Sequence, residues 1–264
     1  MIMNICLFNS DEITKPLSLK DERGEHIVKI LHKKEGDSFT AGIIGGAAGL
    51  AQITKIGPEG IFFDFTPAAG ESGDGKPLYP LKMIIGFPRP IQLKRLLRDV
   101  AALGVCQVHL TGTDLGEKSY MQSNLLEKGN AYKMLLDGTV QAGGTHVPEI
   151  FLHKNLGDCL AALGLEESES GPEKGRLLLA LDNVRPTVSL GQAMKNGLAG
   201  TCDNQPGLEV VAAIGSERGW TDRERDLFLQ KGFSLCGMGC RIMRTETAAT
   251  VAGSIILNEM GYLK

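Results

Sequence analysis

The first third of the chain alternates short apolar runs with glycine, proline and charged residues, a pattern typical of closely spaced β-strands. We predict a small β-barrel from this spacing, interrupted by one helical turn at His26–Leu31. The predicted strands are Asn4–Phe8, Ser38–Ile44, Ala51–Ile56 and Ile61–Phe65.

A segment rich in glycine, serine and proline follows, from Pro67 to Pro77, and it also carries Glu71 and Asp74. Such a composition favours a linker, because it offers turn residues and little apolar surface to bury. The sequence therefore predicts two domains, 1–76 and 77–264.

Beyond the linker, continuous apolar runs alternate with stretches that have apolar residues at helical spacing, which predicts an α/β domain with a doubly wound, mostly parallel sheet. Thr221 followed by Glu224 forms a capping box at the start of one helix. The acidic segment from Leu165 to Gly175 is predicted to be a solvated loop. The predicted strands are Lys82–Phe87, Val105–Leu110, Arg176–Leu181, Leu208–Ile214 and Phe233–Cys236. The predicted helices are Ile91–Leu103, Leu125–Ala142, Thr221–Lys231 and Glu246–Met260.

Hydropathy and cysteine usage indicate a cytoplasmic protein without a disulfide framework. Mean hydropathy is −0.03, and the longest apolar candidate, Ala41–Ile53, is interrupted by four glycines, so no segment is expected to span a membrane. The N-terminus reaches Asp11 and Glu12 too early for a signal peptide. The six cysteines are scattered, and Cys236 and Cys240 have no partner pair, so we expect small buried residues without disulfides.

The charge balance gives no global signature of nucleic-acid binding. The net charge is −3; residues 1–78 hold 8 Lys/Arg against 11 Asp/Glu, and residues 79–264 hold 20 of each. Any RNA-binding surface must therefore be a local patch.

Two glycine-rich turns lie close together near the C-terminus, at Ile214–Trp220 and Cys236–Ala248. Turns after apolar strands are where α/β sheets place their ligands, so a cofactor pocket and ordinary strand-to-helix turns are both compatible with the pattern. A nucleotide triphosphatase is rejected, because the residues from Gly112 to Ser119 have Glu117 where a phosphate-binding loop needs lysine.

Both turns resemble signatures of the SPOUT superfamily and, within it, of the RsmE family. Ile214–Glu224 resembles I-G-P-E-G-G-x-[ST]-x-x-E, and Met238–Ala248 resembles L-G-x-R-I-L-R-x-E-T-A with six residues in register. Weaker similarity lies around Glu25–Leu31, at Ala101–Val105 and between Gln141 and Pro148, so the resemblance spans most of the chain.

The resemblance implies an N-terminal PUA-like RNA-binding β-barrel followed by a SPOUT α/β methyltransferase domain with a deep trefoil knot. It also implies a homodimer that uses S-adenosyl-L-methionine to methylate N3 of a uridine in 16S ribosomal RNA of the small ribosomal subunit. The residues expected to bind the cofactor are Leu181, Ile214, Gly215, Glu217, Gly219, Trp220, Leu235, Met238, Gly239, Ile242 and Met243.

Arg244 and Glu246 are the candidate catalytic residues. A guanidinium near a uracil oxygen would stabilise the anion that attacks the methyl group, and this is the role expected for Arg244. Two roles stay open for Glu246, which either accepts the uracil proton or caps the last helix and orients Arg244.

The candidate RNA-binding residues are the cationic or titratable side chains of the barrel edge and of the α/β domain. Solubility and surface ion pairs stay open as alternative roles for them. Trp220 either flanks the target base or packs in the core. The histidines of the predicted second domain, His109, His146 and His153, are interpreted as dispersed, so no metal site is predicted. The RNA-binding candidates are His26, Lys29, Lys33, Arg89 and Arg241.

Four positions depart from the family pattern. Ser216 and Arg218 replace a proline and a glycine in the first turn, while Val140 and Gly144 stand in place of a glutamate and an arginine. These departures leave two other functions open: a SPOUT methyltransferase for a different RNA, and a non-catalytic RNA-binding or ribosome-assembly factor. The basic residues Lys94, Arg95 and Arg98, next to Arg89, offer a replacement for the missing arginine or a solvated helix face.

Overall fold

The protein is described by a computed structural model that covers residues 4–122, 129–165, 175–199 and 208–263. These residues form two compact units. The first comprises Met1–Leu78 with Leu136–Val147, and the second comprises Tyr79–Leu135 with Pro148–Lys264. The units differ from the predicted domains 1–76 and 77–264 in that a later segment of the chain, Leu136–Val147, joins the first unit.

The first unit contains a four-stranded sheet in the order β1-β2-β3-β4, in which β1 and β2 are parallel and the other pairs antiparallel. All four predicted strands are confirmed, with ends that shift by up to three residues. The predicted helical turn is present as a π-helical turn, His26–Ile30, which directly follows the one-turn helix α1, Glu22–Glu25. The strands are β1 Cys6–Phe8, β2 Ser38–Ile43, β3 Ala48–Gly57 and β4 Gly60–Pro67.

Contacts between its edge strands show that this sheet is curled. Phe8 of β1 and Phe63 of β4 have ring centroids only 5.1 Å apart, although their strands are at opposite edges of the sheet. Three strand spacings in a flat sheet would separate these edges by about 14 Å. The sheet therefore wraps around one apolar core, as expected for a barrel-like domain.

The segment Leu136–Val147 completes the first unit with both apolar and polar contacts. Val140 is buried in a cluster with Ile5 and Leu7, which accounts for an apolar residue at this departure from the family pattern. The Thr145 hydroxyl donates to the Gly46 carbonyl oxygen at 2.6 Å, and the Gly45 amide donates to the Thr145 carbonyl at 2.8 Å.

The second unit is built on a seven-stranded sheet in the order β7-β6-β5-β10-β8-β11-β9, with every pair parallel. The strands are β5 Tyr79–Gly86, β6 Val105–Thr111, β7 Glu149–His153, β8 Arg176–Leu181, β9 Val188–Ser189, β10 Glu209–Ile214 and β11 Ser234–Gly237. The helices of this unit are α2 Pro90–Ala102, α4 Leu156–Ala162, α5 Leu190–Ala199, α6 Asp222–Gln230 and α7 Thr245–Glu259, whereas α3, Asn130–Ala142, begins in this unit and belongs to the first unit from Leu136 on.

Helices cover both faces of this sheet, which confirms the doubly wound α/β fold. Helices α2, α5 and α7 pack together on one face, where Gly253 of α7 lies against Met83. Helices α4 and α6 supply the opposite face, whose core includes Ile84, Trp220 and Phe228. The capping box of α6 is present as predicted, since the side chains of Thr221 and Glu224 bond each other's backbone amides. The knotted path of the chain stays a prediction.

Four short elements escaped sequence-based prediction: β7, α4, β9 and α5. Leu125 to Lys128 of the predicted helix and most of the acidic segment, Glu166–Lys174, lie outside the described residues, as does Cys202. The other five cysteines are free, in agreement with the absence of a disulfide framework in the described part of the chain. Within the same ranges, no helix has the length and apolarity that crossing a membrane requires.

Candidate active site

Three parallel strands end side by side at one edge of the seven-stranded sheet. Leu181 at the end of β8 pairs with Ile214 of β10 on one side and with Cys236 of β11 on the other. Both glycine-rich turns begin at these strand ends. The sheet thus brings together two segments whose first residues are more than twenty positions apart in the sequence. This is the edge at which open α/β sheets bind ligands.

The first turn, Ile214–Trp220, is a tight loop fixed at several points. Gly219 has a φ of +71° and donates its amide proton to the Ser216 carbonyl at 2.9 Å. The Thr113 hydroxyl donates to Oγ of Ser216 at 3.0 Å, and the Glu217 carboxylate accepts the Arg89 amide proton at 2.8 Å. The loop is therefore held by the loops that follow β5 and β6, the two strands on one side of β10.

The second turn, Cys236–Ala248, leads into helix α7 and is bound to the first turn. The Thr245 hydroxyl, in the first turn of α7, donates to the Gly215 carbonyl oxygen at 3.1 Å. Gly239 has a φ of +100°, which an L side chain rarely adopts, and no atom lies within 4 Å of the position that a Cβ would take there. The two turns thus form adjacent walls of one site.

A third wall, after β8, was missed by sequence-based reasoning. Asp182 is buried there in an ion pair with Arg225 of α6, whose side chain is only 7% exposed, at 3.1 Å. The Asp182 carboxylate also accepts the Arg185 amide proton at 2.6 Å, and its own amide donates to the Cys236 carbonyl at 2.9 Å. The ion pair therefore fixes the loop after β8, the strand that lies between β10 and β11 in the sheet.

The three walls enclose a cavity of about 310 Å³. All the predicted cofactor-binding residues line it except Trp220 and Leu235. The additional lining residues Asp182, Asn183 and Val184 lie outside the two predicted turns. The others belong to those turns and are Ser216, Arg218, Cys236, Thr245 and Ala248, together with Arg241 from the RNA-binding set.

Trp220 and Leu235 lie beneath the cavity wall. Trp220 is 2% exposed; its indole Nε1 donates to the Leu181 carbonyl oxygen at 3.1 Å, and its ring meets Phe228 edge-on. Leu235 is 1% exposed within β11. Of the two roles left open for Trp220, the core position applies, because a buried ring cannot flank an incoming base.

The candidate catalytic residues follow the cavity-lining residues Met243 and Thr245 without lining the cavity themselves. Arg244 is exposed at the N-cap of α7. Glu246 is 5% exposed in the first turn of that helix, and its carboxylate makes no hydrogen bond or ion pair with any residue that the structure describes. A guanidinium accessible to a large substrate thus belongs to a residue two positions before a buried glutamate.

The RNA-binding candidates fall into separate places. In the first unit, His26 and Lys33 line a cavity of about 330 Å³, where burial lowers the pKa of His26, while Lys29 pairs with Glu25 at 2.8 Å on the surface. In the second unit, Arg241 lines the cavity between the glycine turns and Arg89 caps α2 beside Glu217.

The interpretation of the histidines as dispersed is wrong for two of them. His109 of β6 and His153 of β7 lie on adjacent strands, with Nδ1 of His109 3.0 Å from Nε2 of His153. Burial and the neighbouring His153 lower the pKa of His109 to about 4, so its imidazole is neutral near pH 7. The 44 residues between them hid this proximity, because it depends on the order of the strands.

Two family models match the chain, one on either side of the predicted domain boundary near residue 76. Residues 75–257 match the family model of an RNA methyltransferase domain, and residues 19–66 match that of an RNA methyltransferase PUA domain.

Two curated relatives cover nearly the whole chain. Ribosomal RNA small subunit methyltransferase E of Treponema pallidum is 39% identical over 97% of this chain and 91% of its own length. Ribosomal RNA small subunit methyltransferase E 1 of Borreliella burgdorferi is 33% identical over 96% of this chain and 97% of its own length.

Among solved structures, that of a ribosomal RNA small subunit methyltransferase E from Neisseria gonorrhoeae, bound to S-adenosyl methionine, superposes with a TM-score of 0.69. It is 17% identical and covers 97% of this chain and 98% of its own, a likeness of fold.

Proposed function

Because the chain belongs to the family of ribosomal RNA small subunit methyltransferase E, we propose that it methylates 16S ribosomal RNA of the small subunit with S-adenosyl-L-methionine, at N3 of a uridine. The observation that carries the proposal is the cavity between the two glycine-rich turns, since most of its lining residues belong to the segments that resemble the family motifs.

The cavity suits a nucleoside cofactor in size and in chemistry. Its volume of about 310 Å³ lies at the lower end of the range for small-molecule sites, about 300–1,000 Å³. Leu181, Ile214, Ile242 and Met243 offer apolar surface for an adenine ring, while the turns offer backbone groups for its polar edges. When bound, S-adenosyl-L-methionine supplies a methyl group on a sulfonium, which is attacked in line.

The side chains of the site position the uracil and stabilise the negative charge that develops on it. The uracil must lose its N3 proton, and the negative charge that develops on its oxygens is stabilised by the guanidinium of Arg244. Glu246, a buried carboxylate without a partner in the described part of the chain, is suited to accept that proton. Orientation of Arg244 from the first turn of α7 is its alternative role.

The exposure of Ile242 supports a homodimer. This side chain lines the cavity and is nevertheless 83% exposed, a costly arrangement for a large apolar residue at a ligand site. A second copy of the chain that covers it would complete the cavity. Light scattering on the purified protein measures the mass directly, and a monomer at micromolar concentration would contradict this part of the proposal.

Mapping of the methyl group tests the substrate. Small subunits from a strain that lacks the gene should carry one unmodified uridine, and the purified protein with radiolabelled cofactor should restore its N3-methyl group. If that uridine stays modified in the strain, the substrate is a different RNA, which the departures at Val140 and Gly144 leave open. Cofactor binding without transfer to any ribosomal RNA would favour a non-catalytic assembly factor. We place the activity in the cytoplasm, where ribosomes are assembled.

Gly239→Val is expected to weaken cofactor binding by more than about tenfold. Valine is strained at a φ of +100°, and its side chain would occupy space in the wall of the cavity. Calorimetry with S-adenosyl-L-homocysteine measures the effect.

The matched control is Gly261→Val, since Gly261 has a φ of +81°, is equally free of neighbours within 4 Å, and lies after α7 without lining the cavity. This variant should have similar backbone strain and keep its affinity for S-adenosyl-L-homocysteine. Tight binding by Gly239→Val would show that the second turn is not part of the cofactor site.

A further inference from the structure

A cluster of two imidazoles and a thiol lies in the second unit, away from the residues that line the cofactor cavity. His109 of β6, His153 of β7 and Cys159 of α4 each direct one potential ligand atom to the same place, and these atoms all lie within 4.8 Å of one another. His109 and Cys159 are buried, whereas His153 is half-buried on the edge strand of the sheet. The proposed methyl transfer uses none of the three.

The spacing of these atoms matches that of ligands around a tetrahedral metal ion. Nitrogen ligands lie about 2.0–2.1 Å from Zn²⁺, which places two of them about 3.3 Å apart, and a thiolate at about 2.3 Å lies only slightly farther from each. Nδ1 of His109 and Nε2 of His153 are 3.0 Å apart, and the Cys159 sulfur lies within 4.8 Å of both, so an ion could enter after side-chain displacements of up to about 1 Å.

Hydrogen bonds behind His109 fix its ring in the orientation that a ligand needs. Gln107 donates from its amide nitrogen to the Glu149 carboxylate at 2.8 Å, which leaves its oxygen as an acceptor, 3.4 Å from Nε2 of His109. Nε2 therefore carries the proton, and the lone pair on Nδ1 faces Nε2 of His153, where it can accept a hydrogen bond or bind an ion. Metal-binding histidines characteristically donate their other N–H to such a partner.

We propose that His109, His153 and Cys159 bind one Zn²⁺ ion, with a water molecule in the fourth position on the side of the half-buried His153. Two imidazoles and a thiolate are the ligands that zinc prefers, and hard cations such as Mg²⁺ take oxygen ligands instead. The ion would connect α4 to β6 and to the edge strand β7. None of the three ligands lines the cofactor cavity, so the metal site is separate from the methyl-transfer site.

Titration of the full-length protein tests the site. After treatment with a chelator and its removal, Zn²⁺ should bind with a stoichiometry of one in competition with a chromogenic chelator. Co²⁺ in its place should give the visible bands of a tetrahedral site and a thiolate-to-metal charge-transfer band. His153→Asn should lower the affinity by about tenfold or more, Cys159→Ser should abolish the charge-transfer band, and Gln107→Leu should weaken binding by about 10- to 100-fold.

Cys240→Ser and His32→Asn are the controls, because these exposed residues would account for adventitious binding at the surface. Both variants should bind Zn²⁺ with the affinity and stoichiometry of the unaltered protein. The proposal is overturned if the protein binds no Zn²⁺, if Cys240→Ser abolishes binding, or if His153→Asn leaves the affinity unchanged. Circular dichroism verifies folding, and if the buried Cys159→Ser variant does not fold, His153→Asn decides.

Discussion

Arg244→Ala is expected to slow methyl transfer by about 10²–10³-fold, the effect of removing one group that stabilises developing negative charge. The affinity for S-adenosyl-L-homocysteine should stay within a few fold, because Arg244 is exposed and does not line the cavity. Single-turnover transfer of a radiolabelled methyl group to unmodified small subunits measures the rate without interference from product release.

Three further variants locate the origin of this effect. Arg223→Ala removes an exposed arginine of α6 that pairs with Asp114, and it should transfer at the normal rate. Arg244→Lys keeps the charge and should recover part of the activity. Glu246→Gln should slow transfer if the carboxylate accepts the uracil proton. Normal turnover by Arg244→Ala would remove the proposed mechanism while leaving the cofactor site intact.

Asp182→Ala is expected to lower the free energy of unfolding by about 3 kcal/mol, the lower end of the effect of breaking a buried ion pair, because the Arg225 guanidinium loses its buried partner and keeps the exposed Asp222 carboxylate, 3.2 Å away. The side chains of Asp182 and Arg225 are 1% and 7% exposed, so water cannot replace the lost contact. The loop after β8 also loses the hydrogen bond to the Arg185 amide. Urea denaturation measures the change, and cofactor affinity should fall with it.

Asp226→Ala is the matched control, since its carboxylate pairs with Arg185 at 3.1 Å on the surface and should contribute less than about 1 kcal/mol. The double variant Asp182→Leu with Arg225→Met replaces both charges by apolar groups and should recover much of the stability. A loss for Asp182→Ala no larger than that for Asp226→Ala would show that the pair does not fix the loop.

The sequence predicted the long elements of the fold well, because their hydrophobic periodicity follows directly from burial. Strands β8 and β10 and helix α6 were found within one residue of their ends, and the capping box of α6 marked its start. The elements that were missed are short or interrupted: β7 and β9 lie at the sheet edges, where few residues are buried, and α5 contains two glycines.

The candidate site was predicted as far as it is continuous in sequence. The glycine turns carried both the local signal and the family resemblance, and most of their residues line the cavity. The wall at Asp182 depends on a partner 43 residues away, and the pairing of His109 with His153 depends on strand order. Neither contact leaves a local pattern, and for that reason periodicity and spacing could not reveal them.

The assignment of Leu136–Val147 to the first unit bears on any attempt to isolate that unit. A fragment ending at Leu78 would expose the apolar surfaces of Ile5 and Leu7 that Val140 covers, and would leave the Gly45 amide without the Thr145 carbonyl. Such a fragment should be prone to aggregation and to protease digestion. Supplying the missing dodecapeptide in trans, or fusing it behind Leu78, is the rational way to obtain the amino-terminal module alone.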